Sequence, residues 1–128
     1  MNSVTPSNYV VVETDHAVMV RSLLKPAGDI FNSLNPTKID ILHGAVGVCT
    51  EAGELLDAAK KYVFYGKTLD RTNIIEELGD LEFYMQSIRQ ILHITRKETL
   101  KANMEKLAIR YKNHQYSDQQ AIDRADKA

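Results

Sequence analysis

From Ile74 to Leu92 the apolar residues Ile74, Leu78, Leu81, Met85, Ile88 and Leu92 recur at alternating intervals of four and three. Only an α-helix gathers that spacing on one side, since a strand needs a period of two, so this segment buries a stripe against other helices. The flanks agree. Asp70 can cap its start, and Thr95 with Glu98 forms a capping box that opens another helix carrying Leu100, Met104, Leu107 and Tyr111 along one side. Upstream, Asn35-Pro36 reads as a cap with proline in the first helical position, and opens a long helix to about Tyr65, where Gly66 can end it. An earlier helix starts near Thr14 or Asp15, carries Val18, Leu23 and Leu24, and is interrupted by Pro26, with a looser helical piece over residues 29–34. Ser117 with Gln120 opens a short terminal helix. Residues Tyr9 to Val12 are β-branched and aromatic, but a lone strand has no partner here, so residues 1–13 are expected to be an extended arm. The expected fold is all-α: a four-helix bundle in one domain, 1–128, with a short N-terminal arm and a short C-terminal helix.

A chain of 128 residues suffices for one core. Its net charge of −1 lacks the basic surplus of a protein that binds the nucleic-acid backbone, so nucleic acid is not an expected partner. Cys49 is the single cysteine, which excludes an intramolecular disulfide and fits a reducing cytoplasm; it lies in the apolar sector of its helix and is expected to be an inert core residue. Met1 to Asn8 lacks a leader pattern and no apolar run is long enough to span a bilayer, so neither export nor a membrane partner is expected.

Two acidic pairs stand out. Glu51-Ala-Gly-Glu54 lies mid-way along the long helix, and a spacing of three puts both carboxylates on one side, one turn apart. Such a pair alone is more often a solvated face. Here the same strip also holds His43, Gly47, Ala58 and Lys61, and a merely solvated strip would more often carry several long charged residues than Gly and Ala, which points to a shallow cleft. Glu77-Leu-Gly-Asp80 repeats the arrangement on the next helix, with Asn73 and Tyr84 extending the strip by a turn each way. Two such pairs on neighbouring antiparallel helices make a cluster of four negative charges, costly unless a hard cation neutralises it. All-oxygen ligation suits Mg2+, or Mn2+, and there is no Glu-x-x-His pair of the di-iron kind.

Asn103, Lys106 and Arg110 form a polar stripe about 90° from the apolar side of their helix, at about 100° per residue. They suit a polyphosphate, and equally suit an ordinary exposed face. Lys61 is better placed to pair with Asp57, four residues earlier. Of His16, His43, His93 and His114, only His43 lies near the acidic strip. A Walker-type glycine-rich loop and a Gly-x-Ser-x-Gly elbow are both missing.

Glu51-x-x-Glu54 followed by Glu77-x-x-Asp80 resembles the paired acidic motif of the MazG-like all-α nucleoside triphosphate pyrophosphohydrolases. The stretches Glu51-Ala-Gly-Glu54-Leu-Leu-Asp57-Ala-Ala-Lys60-Lys61 and Glu76-Glu77-Leu-Gly-Asp80-Leu are similar to the family's two signature helices, and Asn103-x-x-Lys106-Leu-x-x-Arg110-Tyr111 to its downstream substrate helix. The similarity covers roughly His43 to Asp126 and is strongest to the short versions carried by bacteriophages.

The resemblance implies a helical bundle that forms a homodimer or homotetramer, with the active site near the subunit contact. It implies Mg-dependent hydrolysis of a (d)NTP to (d)NMP and pyrophosphate, for nucleotide-pool trimming or phage nucleotide metabolism, with Glu51, Glu54, Glu77 and Asp80 as metal ligands and with metal-bound hydroxide, or Glu51 or Glu54 acting through water, as the base. Asn103, Lys106, Arg110, Tyr111 and Lys61 are the implied substrate contacts, and Tyr84, Tyr62 and Tyr65 can stack on a base. Thr50 stands where family members often carry a further Glu. Two other readings stay open on the sequence: a dUTP/dUDP or alarmone hydrolase on the same metal site, and a non-enzymatic helical interaction module.

Overall fold

The computed structural model describes the backbone of residues 7–128 and the side chains from Asp15 onward. Regular structure among these residues is helical throughout: α1 (Ser7–Leu23), α2 (Ala27–Ser33), α3 (Pro36–Phe64), α4 (Arg71–Leu92), α5 (Arg96–Arg110) and α6 (Asp118–Asp123), with 3-10 turns at Lys112–His114 and Ala125–Lys127. The all-α class expected from the sequence is the class found. Two compact units divide at Asn35 and Pro36.

The first unit holds α1 and α2. Its α1 begins at Ser7, so Tyr9 to Val12 are helical and the expected extended arm is corrected over residues 7–13; the remainder of that arm lies outside the described residues. The physical reason is the missing partner: an isolated strand leaves its backbone N–H and C=O groups unpaired, whereas a helix pairs them within the segment. Pro26 separates α1 from α2, as its missing N–H requires.

The second unit is built on a hairpin of α3 and α4, which pack along each other. Gly66, at φ +60°, lets the chain leave α3, and Lys67 N–H returns to the carbonyl of Lys61 at 3.1 Å. Asp70 caps α4 by accepting from Asn73 N–H at 3.0 Å. The face of α3 that meets α4 carries the small residues Gly44, Gly47 and Ala58, all buried. A methyl group on Gly44 would stand 2.6 Å from Ile88 Cγ1, and one on Gly47 would overlap the Tyr84 ring. Small residues therefore set the close approach of the two backbones.

That choice of face reverses one expectation and shifts another. Cys49 is exposed rather than buried, because it lies on the side of α3 opposite Gly47 and Ala58, where α4 is absent. Ile39, Leu42, Val46, Leu56 and Val63 share that outward side and are exposed with it. On α4 the half-buried face is centred on Asn73, Glu77, Tyr84 and Ile88, so Leu78 and Leu92 of the expected buried stripe stay exposed at its edge. Ala58 is the one buried hydrophobic residue among those described.

Between α4 and α5 the chain turns at a built joint. His93 adopts a left-handed φ of 54°, with His93 N–H donating to Gln90 O at 3.3 Å and Ile94 N–H to Arg89 O at 3.0 Å. Thr95 and Glu98 then form the expected capping box: Glu98 accepts from Thr95 N–H at 2.6 Å, and Thr95 Oγ1 from Glu98 N–H at 3.1 Å. Beyond the joint, α5 packs against the C-terminal segment rather than alongside α3 or α4. Ser117 caps α6 through Gln120 N–H, again as the sequence suggests.

Candidate metal centre

Helical spacing puts Glu51 one turn beyond Gly47 on α3, and Glu77 and Asp80 two turns and one turn before Tyr84 on α4. The contact of Tyr84 with Gly47 thereby sets the register that brings the acids face to face. One carboxylate oxygen from each of Glu51, Glu77 and Asp80 lies within 4.8 Å of the others. Glu51 and Glu77 are half-buried and Asp80 is exposed, so the group sits at the lip of the α3–α4 contact with one side open. Glu54, one turn further along α3, is outside this trio and exposed, yet its charge still acts on Glu77.

The electrostatics follow from the crowding. Partial burial pushes the Glu77 carboxyl above its ordinary value; the charge of Glu51, a hydrogen bond with Glu51, and the charges of Glu54 and Asp80 push the same way. A second carboxylate at this distance disfavours ionisation of the first, and an added cation reverses the preference. Three converging carboxylates with no sulfur or imidazole donor fit a hard divalent ion.

The other sequence candidates lie elsewhere. Lys61 Nζ pairs with Asp57 at 2.7 Å, and Lys60 holds the other oxygen of the same carboxylate at 3.2 Å. Those bonds hold Asp57 below the ordinary carboxylate value. Thr50 Oγ1 donates to the Gly47 carbonyl at 2.9 Å, so the hydroxyl at the position of the family's additional Glu is tied to its own helix. His43, two turns before Glu51 on α3, approaches Tyr84 at 6.2 Å between ring centroids. Tyr62 and Tyr65 are exposed, the latter beneath Lys60 Nζ.

Asn103 and Lys106 are exposed on α5, which the chain does not lay alongside its own acids. Arg110 is not a free cation. Its Nε and Nη2 donate to the two oxygens of Asp126 at 2.6 and 2.9 Å. Tyr111 lies 5.8 Å from Tyr116, on an apolar groove of about 610 Å³ lined by Met104, Leu107, Ala108, Tyr111 and Tyr116; none of the four acids lines it. Sequence reasoning missed the Arg110–Asp126 pair, sixteen residues apart, because no periodicity links its ends. It also missed the seating of Tyr84 on Gly47, for which the Gly44/Gly47 spacing was an available signal.

Residues 45–115 match the family model of the MazG nucleotide pyrophosphohydrolase domain, more than half of the chain. The chain belongs to the MazG nucleotide pyrophosphohydrolase family. The matched MazG segment contains both acidic pairs and the polar stripe of α5, and it assigns the chain a nucleotide pyrophosphohydrolase role. No curated protein and no solved structure matches the chain. Among the described residues of this MazG protein no helix is long and apolar enough to cross a membrane.

Proposed function

We propose that this MazG domain hydrolyses (d)NTPs to the (d)NMP and pyrophosphate with Mg2+, trimming the nucleotide pool of the cytoplasm in which it works, that of the host if the chain is encoded by a phage. The observation that carries the reading is the convergence of Glu51, Glu77 and Asp80 across the α3–α4 contact, inside the segment that matches the family. These three carboxylates would hold the metal, with Glu54 beside them. A bound divalent cation supplies charge neutralisation for the triphosphate and acidifies water.

Water attacks the α-phosphorus, the bond to the β-phosphate oxygen breaks, and pyrophosphate leaves. Glu54 takes the proton of the attacking water, or Glu51 does so; Thr50 has no basic group to offer. Asn103 and Lys106 meet the phosphates, which suits the fork of an amide and the point charge of an ammonium.

This reading requires assembly. With Ala58 the one buried hydrophobic residue among those described, and Leu42, Leu56, Val63 and Phe64 each more than half exposed, the single chain shows more apolar surface than a stable monomer carries. In a homodimer or homotetramer the outward stripe of α3 is covered, and α5 of one copy brings its polar stripe to the acids of another.

The test is product analysis over the common (d)NTPs, with dUDP and alarmones included. Pyrophosphate and a monophosphate appear with Mg2+, and Glu54→Gln lowers turnover by at least about a hundredfold, a loss of about 3 kcal/mol of transition-state stabilisation or more. Orthophosphate from a diphosphate, or activity confined to alarmones, would move the substrate class. No product from any nucleotide would leave an interaction module.

A further inference from the structure

We propose that Asp126 is a positioning residue that fixes the Arg110 guanidinium as a phosphate-docking group, an inference that rests on the function proposed above. Asp126 lies in the last turn of the chain, Ala125–Lys127, which α5 receives at its C-terminal end. Its side chain is 1% exposed and that of Arg110 17% exposed, so the pair is nearly out of water and both oxygens are engaged by one guanidinium. A second bond anchors the preceding helix α6: Gln120 Oε1 accepts from Lys112 N–H at 2.7 Å.

Arginine carries five N–H donors in a planar fork. Asp126 takes Nε–H and one hydrogen of Nη2, which leaves both hydrogens of Nη1 and the second of Nη2 on the opposite edge. The fork cannot rotate without breaking two charge-assisted bonds, so the rotamer freedom that phosphate binding would otherwise remove is already lost on folding. On the helix, Arg110 shares a face with Lys106 and Asn103, four and seven residues earlier, and the Tyr111 side chain meets the same guanidinium. The pair keeps Arg110 charged, its guanidinium pushed further up by the Asp126 bond, while Arg110 holds the Asp126 carboxyl down at about 2. Anion recognition then comes from oriented N–H donors rather than from a mobile charge, and this should appear in substrate binding more than in turnover.

The experiment uses the full chain, with inorganic tripolyphosphate and Mg2+ as the calorimetric probe and a (d)NTP for kinetics. Asp126→Asn and Arg110→Ala should each weaken tripolyphosphate and raise KM by about tenfold, the loss of a charge-assisted interaction, with kcat changed less than threefold and Mn2+ affinity unchanged. The double variant should be no weaker than Arg110→Ala alone, because both changes remove one interaction. Asp126→Glu, which keeps the charge and misplaces it, should fall between and serves where Asp126→Asn does not fold. Unchanged KM in Asp126→Asn or Asp126→Glu, or multiplying effects in the double variant, would overturn the positioning role and leave a structural clasp. A wild type that neither cleaves a nucleotide nor binds tripolyphosphate would remove the proposed function and this inference together; wild-type turnover with an indifferent Asp126 removes this inference alone.

Discussion

Tyr84 on α4 occupies the space that a side chain on Gly47 of α3 would need. This contact sits one turn from Glu51 and two turns from Glu77, and it fixes how closely, and in what register, the two acid-bearing helices meet. Three carboxylates then share a space that would be unfavourable to fill with negative charge, which is what a cation site requires of a metal-free protein.

Gly47→Ala should lower stability by about 1–3 kcal/mol, since a methyl group there overlaps the ring and the helices must part. Gly79→Ala is the control: nothing lies within 4 Å of its added carbon, and an alanine inside a helix should gain up to about 1 kcal/mol over glycine. Chemical denaturation of the two variants beside the wild type measures both. Equal effects would remove the Tyr84–Gly47 contact from its role.

The raised Glu77 carboxyl gives stability a pH dependence with a defined sign. A carboxyl whose folded value lies above its ordinary 4.5 contributes fully below that pH, and the contribution is lost as pH rises through the folded value. Without divalent ions, therefore, Glu77→Gln should melt above the wild type at pH 7 and close to it at pH 4. Adding Mg2+ at pH 7 should raise the wild-type Tm and leave that of Glu77→Gln nearly unchanged. Melting curves at the two pH values, with and without Mg2+, test the pair of statements.

The outward stripe of α3 predicts the assembly state. Leu42 and Leu56 are 59% and 69% exposed in the single chain, and Glu at either position should leave the α3–α4 contact intact while shifting a dimer or tetramer toward monomer in sedimentation velocity. Monomeric wild-type protein would contradict the requirement for assembly.

Much of this was legible in the sequence because it is local. The Asp70 cap, the Thr95–Glu98 box and the proline and glycine limits of α3 depend on residues within a few positions of each other, and each stands where its spacing places it. Helical periodicity put Glu51 and Glu54, and Glu77 and Asp80, on common sides. It did not say which side of α3 meets α4. Apolar residues cover so much of α3 that Cys49 reads as core, and only the close approach allowed by Gly44 and Gly47 selects the opposite face. The Arg110–Asp126 bond was out of reach for another reason: it depends on the path of the chain through α6, which no single-helix pattern encodes.

The central claim, that Glu51, Glu77 and Asp80 share one divalent cation, is tested most directly by titrating Mn2+ into the metal-free protein and reading bound ion by electron paramagnetic resonance. The account predicts saturable binding by the wild type, weakened by at least about tenfold in Glu51→Gln and in Glu77→Gln, as loss of a ligand or of its support does at metal sites. Binding of equal strength in all three proteins, or none in the wild type, would contradict it.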